Sequence, residues 1–272
     1  MILILRGHIR ESFNTKDLYN FVKDLYIIFP DLNVYIHTWN IFANNISWRN
    51  IEINNNIVES STIFNYFDDL KILIKKIIID YDTKIKLIGN LNGLVALSKM
   101  PLKGWKNYWY GKYSIINYIY NTDIDKNEFV INTRFDLFCN SNNFNNIQII
   151  NFIKNNNKNL FIKNKFLIDK YKDGIDNIYI GNINTMYTLI HKFYYDLDNI
   201  LTINNKIKNQ EYLVFQLNNN LIINKLEFPL NDDLITNKVE FPLNDNPMTN
   251  KISFNKGLLL KQNYRKRLYK KY

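Results

Sequence analysis

Ile2-Leu3-Ile4-Leu5-Arg6-Gly7-His8-Ile9-Arg10 begins with four apolar residues in a row. A short apolar run without polar alternation is what a strand buried on both faces carries. The stretch from Arg6 to Ser12 reads as a polar turn. Beyond it, Leu18, Phe21, Val22, Leu25 and Ile28 recur at helical spacing,. Asn14 is the expected N-cap, Asp17 falls in the first turn, and Pro30 stops the helix. Val34-Tyr35-Ile36-His37-Thr38-Trp39 then reads as a second strand. Strand, helix and strand within about forty residues make a βαβ unit with a right-handed crossover.

The pattern continues outward. Ile63, Phe67, Leu70, Ile74, Ile77 and Ile78 predict a second amphipathic helix, and Ile85 with Leu87-Ile88 a third short strand. Asn90 to Gly111 reads as a loop rich in Gly, Lys and Trp, followed by a helix over Ile115 to Tyr120. Glu128 to Phe138 is the most strand-like segment. Met186, Leu189, Ile190, Phe193, Leu197 and Leu201 form a long helical stripe. Strands alternating with helices predict an α/β fold with a mostly parallel, doubly wound sheet, whose ligands sit beyond the carboxyl ends of the strands.

A different organisation begins at residue 224. Asn224-Lys225-Leu226-Glu227-Phe228-Pro229-Leu230-Asn231-Asp232 recurs as Asn237-Lys238-Val239-Glu240-Phe241-Pro242-Leu243-Asn244-Asp245, and a degenerate copy starts at Asn250. The expected division is an α/β domain over 1–223, a repeat appendage over 224–256 and a basic tail over 257–272. Slippage in repetitive DNA accounts for the repeat without any function.

Composition narrows the classes. A hydrophobic fraction of 46% is ample for a core and excludes wholesale disorder,. The single cysteine, Cys139, excludes an internal disulfide framework and a four-Cys zinc site, and reads as a small buried hydrophobe,. No apolar run approaches the length of about 20 residues that crosses a bilayer. A cytoplasmic protein, possible at a membrane periphery, is the expectation. The net charge is +10, and Arg265, Lys266, Arg267, Lys270 and Lys271 supply five of those charges. Such a tail suits anionic lipid, a phosphorylated substrate or nucleic acid, or is simply a solvated terminus. The abundant Asn residues follow from compositional bias, so no single one carries weight.

Three stretches carry candidate chemistry. In Phe129-Val130-Ile131-Asn132-Thr133-Arg134-Phe135-Asp136 the period of two puts Asn132, Arg134 and Asp136 on one face of a strand end,. Asp136 there suits a divalent cation bridging phosphate oxygens, and Arg134 suits phosphate directly. A structural ion pair explains the same spacing. Arg6, Gly7, His8 and Arg10 occupy the turn where such a sheet meets a nucleotide, and Gly7 permits close backbone approach. A solvated loop has the same composition. No GxGxxG or P-loop is present, which excludes those sites. Gly104-Trp105-Lys106-Asn107-Tyr108-Trp109-Tyr110-Gly111-Lys112 interleaves bases with aromatics, either as a mobile loop closing on a ligand or as core aromatics with snorkelling lysines. His8, His37 and His191 lack metal-ligand spacing and read as structural.

In this order the pieces resemble glycosyltransferase-like proteins of lipopolysaccharide and capsule synthesis, a group with a GT-A-type fold also found in large viruses. The resemblance rests on Leu5-Arg6-Gly7-His8-Ile9-Arg10, Tyr35-Ile36-His37-Thr38-Trp39, Trp109-Tyr110-Gly111-Lys112, Asn132-Thr133-Arg134-Phe135-Asp136-Leu137, Asp176-Asn177-Ile178-Tyr179-Ile180-Gly181 with Met186, and Glu211. It covers roughly residues 1–220. It implies transfer of a sugar from a nucleotide-sugar donor to a glycan, lipid-linked or other hydroxyl acceptor. Arg6, Gly7, Arg10, Trp39, Lys112 and Arg134 would lie on the donor, with Lys112 near the diphosphate. Asp136 would hold Mn²⁺ or Mg²⁺. Asp176 and Glu211 would be the candidates for the base that deprotonates the acceptor. The departure is Arg134, which stands where many such enzymes carry the first acid of Asp-x-Asp. It puts the cation in doubt and leaves two other functions open: an inactive relative serving in interactions, and a basic nucleic-acid-binding protein.

Overall fold

Strand β1 (Ile2–Arg6) is buried along its whole length, with a strand on either side and apolar side chains packed over both faces. Parallel to it run β2 (Asn33–Trp39) on one side and β6 (Phe129–Arg134) on the other. The structure is a computed structural model describing residues 1–44, 52–95, 97–139, 146–147, 149–151, 153–154, 167–168, 178–205, 213–214 and 217. Asp176, Glu211, the thirteen-residue repeats and the basic tail lie outside the described residues.

Helix α1 (Asp17–Ile28) links β1 to β2. It starts after Lys16, and Asn14 instead ends a one-turn 3-10 helix at Ser12–Asn14. Just ahead of the helix, the Thr15 hydroxyl donates to the Asp17 carboxylate at 2.9 Å. A small antiparallel pair follows, β3 (Ile41–Ala43) with β4 (Asn54–Ile57), and then helix α2 (Ser60–Phe67).

The second amphipathic helix expected from the sequence ends early. Asp68 turns the chain with φ 46°, and Ile74–Asp80 is strand β5, parallel to β2 at the sheet edge. Its isoleucines fit a pleated surface as well as a helical stripe, and pairing with β2 decides between them. The third strand of the main sheet is therefore β5, and residues 85–88 form no strand.

The expected loop from Asn90 to Gly111 is corrected as well. Helix α3 runs from Leu102 to Tyr120, behind Pro101 at its N-cap. Gly104 and Gly111 inside it gave the segment its loop-like composition. Gly111 is there for a close approach, since a Cβ at this position would stand 2.8 Å from the His37 ring. Trp105 and Trp109 pack inward, and Lys106 and Lys112 are buried with them rather than snorkelling to solvent.

The sheet order is β5-β2-β1-β6-β8-β7. Strand β8 (Ile178–Asn182) runs antiparallel to β6, and the two-residue β7 (Leu167–Ile168) antiparallel to β8. Helix α4 (Ile183–Tyr195) and α5 (Leu197–Ile203) divide the long apolar stripe at Asp196. This is an α/β fold with a mostly parallel mixed sheet flanked by helices.

Alternation along β1 serves two cores. Leu3 and Leu5 pack with Phe21 and Leu25 of α1 and Ile63 and Phe67 of α2. Ile2 and Ile4 pack with Trp109 of α3 and Met186 and Phe193 of α4. Trp109, fully buried, stacks on Phe193 at 4.5 Å. Each such side chain contributes about 1.5–3 kcal/mol on burial. Among the described residues, no helix is long and apolar enough to cross a membrane.

Candidate functional site

The chain leaves β1 for β2 on one side and later inserts β6 on the other. The connections therefore diverge above β1 and β6, the point beyond whose carboxyl ends open α/β sheets take their ligands. Arg6 and Arg134 lie side by side there as register partners, with His37 paired to Arg6 on the far side.

The turn after β1 is fixed by its backbone. Gly7 has φ 91° and donates its amide to the His37 carbonyl at 3.1 Å. Arg10 has φ 53° and donates its amide to the Phe42 carbonyl at 2.8 Å. Positive φ in a residue other than glycine costs on the order of 1 kcal/mol, and neighbouring bonds must hold it.

Arg6 is 3% exposed and donates from Nε to Asn132 Oδ1 at 2.7 Å. Its guanidinium lies 5.0 Å from the Tyr108 ring centre and 5.7 Å from that of Tyr179. Lys112 has no exposed surface. Its ammonium sits 3.8 Å from the Tyr108 ring centre, 3.9 Å from Tyr179 and 4.3 Å from Trp109, and donates to the Tyr108 hydroxyl. The two tyrosine hydroxyls meet at 3.1 Å. Both cations make further contacts. Aromatic faces offset part of the cost of burying the two charges, by about 2 kcal/mol for a desolvated contact.

Asp136 lies just outside this cage. The sequence extended the strand through it, but β6 ends at Arg134 and Phe135–Leu137 form a one-turn 3-10 helix. The two side chains meet nevertheless. Arg134 donates from Nε to Oδ1 at 2.6 Å and from Nη2 to Oδ2 at 2.6 Å. Arg10 donates from Nη1 to Oδ2 at 2.5 Å. The Asp136 side chain is 4% exposed, against 22% for Arg10 and 15% for Arg134.

That donor set does not fit a divalent cation. Mg²⁺ and Ca²⁺ take six or more oxygen ligands, whereas both oxygens of this carboxylate accept from guanidinium groups. Among the described residues, no group of three or more His, Cys, Asp and Glu side chains comes together.

His8 follows Gly7 in the turn and is half-buried. Its ring stacks beside Trp39 with centroids 5.8 Å apart, and burial together with the Arg10 charge pushes its pKa down to about 3. It is neutral near pH 7. His37 is fully buried and meets Asp80 at 3.2 Å, and that contact holds the Asp80 carboxyl below its usual range. His191 lies apart, beside Tyr187 and Tyr195. Cys139 is exposed, because the 3-10 turn carries it to the surface, so its expected burial is corrected.

The structure thus gathers Arg6, Gly7, Arg10, Trp39, Lys112, Arg134 and Asp136 near the carboxyl ends of β1, β2 and β6. Two contributors, Tyr108 and Tyr179, stand inside stretches quoted above but had no role of their own there. Tyr179 lies opposite Asn132 in the β6–β8 register, a relation visible only once β8 is known to be antiparallel. Comparison of the chain with family models, with curated proteins and with solved structures finds no match.

Proposed function

We propose that this chain is a glycosyltransferase-like protein with a GT-A-like, doubly wound fold that binds a nucleotide-sugar donor at the carboxyl ends of β1 and β6. One observation carries the reading: Arg6 and Arg134 are paired at the point where the strand order reverses, directly before the Gly7 turn. Ligands of open α/β sheets bind at that point, and guanidinium groups are suited to phosphate. His8, backed by the buried Trp39, is the ring nearest to where a base would lie. Lys112 lies deeper, toward the diphosphate. Transfer to a glycan or lipid-linked hydroxyl requires a base, for which Asp176 and Glu211 are the proposed residues.

A thermal-shift panel of UDP-, GDP- and CDP-sugars tests this. One of them should raise the melting temperature at millimolar concentration. It should also undergo slow hydrolysis. If no nucleotide of the panel moves the melt, the reading fails.

A second reading, a relative that binds without turnover, is favoured by the engagement of Asp136 with two guanidinium groups. It expects a melt shift and no hydrolysis with any donor. The nucleic-acid reading has less to rest on, since Trp105 and Trp109 are buried in α3 and offer no faces to bases.

A further inference from the structure

We infer that the phosphate-facing charge of this site is supplied by Arg10 and Arg134, positioned by Asp136, so that a diphosphate ligand binds without a divalent cation. The inference rests on the donor-site reading above and names how that site meets its anion.

Asp136 is the side chain on which a cation would depend. It is almost fully buried, and its two oxygens already accept three N–H donors at 2.5–2.6 Å. A cation arriving at this carboxylate must displace a guanidinium or sit against two like charges. Either is unfavourable in a partly desolvated site.

The surrounding backbone is committed to the same arrangement. Arg10 keeps a left-handed conformation whose amide is tied to Phe42. That backbone brings its guanidinium onto a residue 126 positions away in the chain. Strain held in place by neighbouring bonds is characteristic of functional loops. Arg134 meets the carboxylate with two nitrogens, which fixes the plane of its guanidinium. The planar fork of a guanidinium matches phosphate as well as carboxylate. Asp136 is therefore a positioning residue. It orients two cations that do for phosphate oxygens what a metal ion would do.

The test is isothermal titration of the full chain with inorganic pyrophosphate and with UDP, GDP and CDP, each in EDTA and in MnCl₂. The expected result is binding in EDTA within about threefold of that in Mn²⁺, a difference under 1 kcal/mol. Arg10→Gly, which suits the positive φ, should weaken binding about tenfold or more in both buffers, the loss of one charged hydrogen bond. Asp136→Asn should weaken both equally, whereas loss of a metal ligand would remove only the part that needs Mn²⁺. If Asp136→Asn fails to fold, the two-buffer comparison on the unmodified chain still decides. Nucleotide binding that requires Mn²⁺ overturns the inference and leaves the donor reading intact. Pyrophosphate binding in EDTA with no nucleotide bound upholds the inference and sinks the donor reading. No binding of any probe overturns both.

Discussion

At the scale of single residues, the site combines buried charge with neutral aromatic surface, and two substitutions separate these. Lys112→Met keeps the volume between Tyr108, Trp109 and Tyr179 and removes the ammonium. The variant is expected to fold, by circular dichroism, and to show a smaller nucleotide-induced melt shift than the unmodified chain. His8 gives a pH prediction. Its folded pKa of about 3 lies below the ordinary 6.5, so the unfolded chain binds the proton more readily between those values. Stability is full above pH 6.5 and falls as pH drops toward 3, with a limiting slope of about 1.4 kcal/mol per pH unit from this group. Asp80, also depressed, adds a loss of the same sign lower in the acid range. Urea unfolding at pH 7, 5.5 and 4 measures the slope, and His8→Gln should flatten the upper part of it.

At the scale of elements, the contact between α3 and β2 is set by one glycine. Replacing Gly111 by Ala gains about 1 kcal/mol of helix propensity. The added Cβ meets the His37 ring at 2.8 Å, and forcing apart a packed core costs typically 1–3 kcal/mol,. His37 is held by Asp80 and boxed in by Trp39 and Tyr110, so it has little room to yield. The expected outcome is net destabilisation, read as a lower urea midpoint with an unchanged slope. The same two elements mark what the sequence made legible. Strands β1, β2 and β6 announced themselves as apolar runs ended by polar turns, because they are buried on both faces. Helix α3 did not, since its glycines serve packing and imitate loop composition. Strand β5 did not, since its isoleucines satisfy both periods and only the partner strand selects one. Arg6, Arg134 and Asp136 were visible as strand-end residues. Their cage was not, because Tyr108 and Tyr179 come from a helix and an antiparallel strand whose positions follow from tertiary packing.

At the scale of the whole molecule, charge is unevenly distributed along the chain, with five of the ten excess positive charges in the last eight residues. Removal of residues 262–272 is expected to leave the nucleotide-induced melt shift unchanged and to reduce sedimentation with vesicles containing anionic lipid. Binding by the full chain should fall steeply between 50 and 500 mM salt, roughly the range over which screening shortens from above 10 Å to below 5 Å. Vesicle binding that survives the truncation would place the membrane contact elsewhere. The placement of β1 at the middle of the sheet has a further consequence in time. During synthesis β1 gains β2 early, but its other edge waits for β6. About 95 residues separate Trp39 from Arg134, which at ribosomal rates of 5–20 residues per second is about 5 to 20 s,. For that interval Ile2-Leu3-Ile4-Leu5 presents an unpaired apolar edge, the kind of template on which nascent chains aggregate,. Slower growth at lower temperature lengthens the wait while weakening apolar association, so soluble yield will depend on chaperone supply more than on the stability of the finished fold.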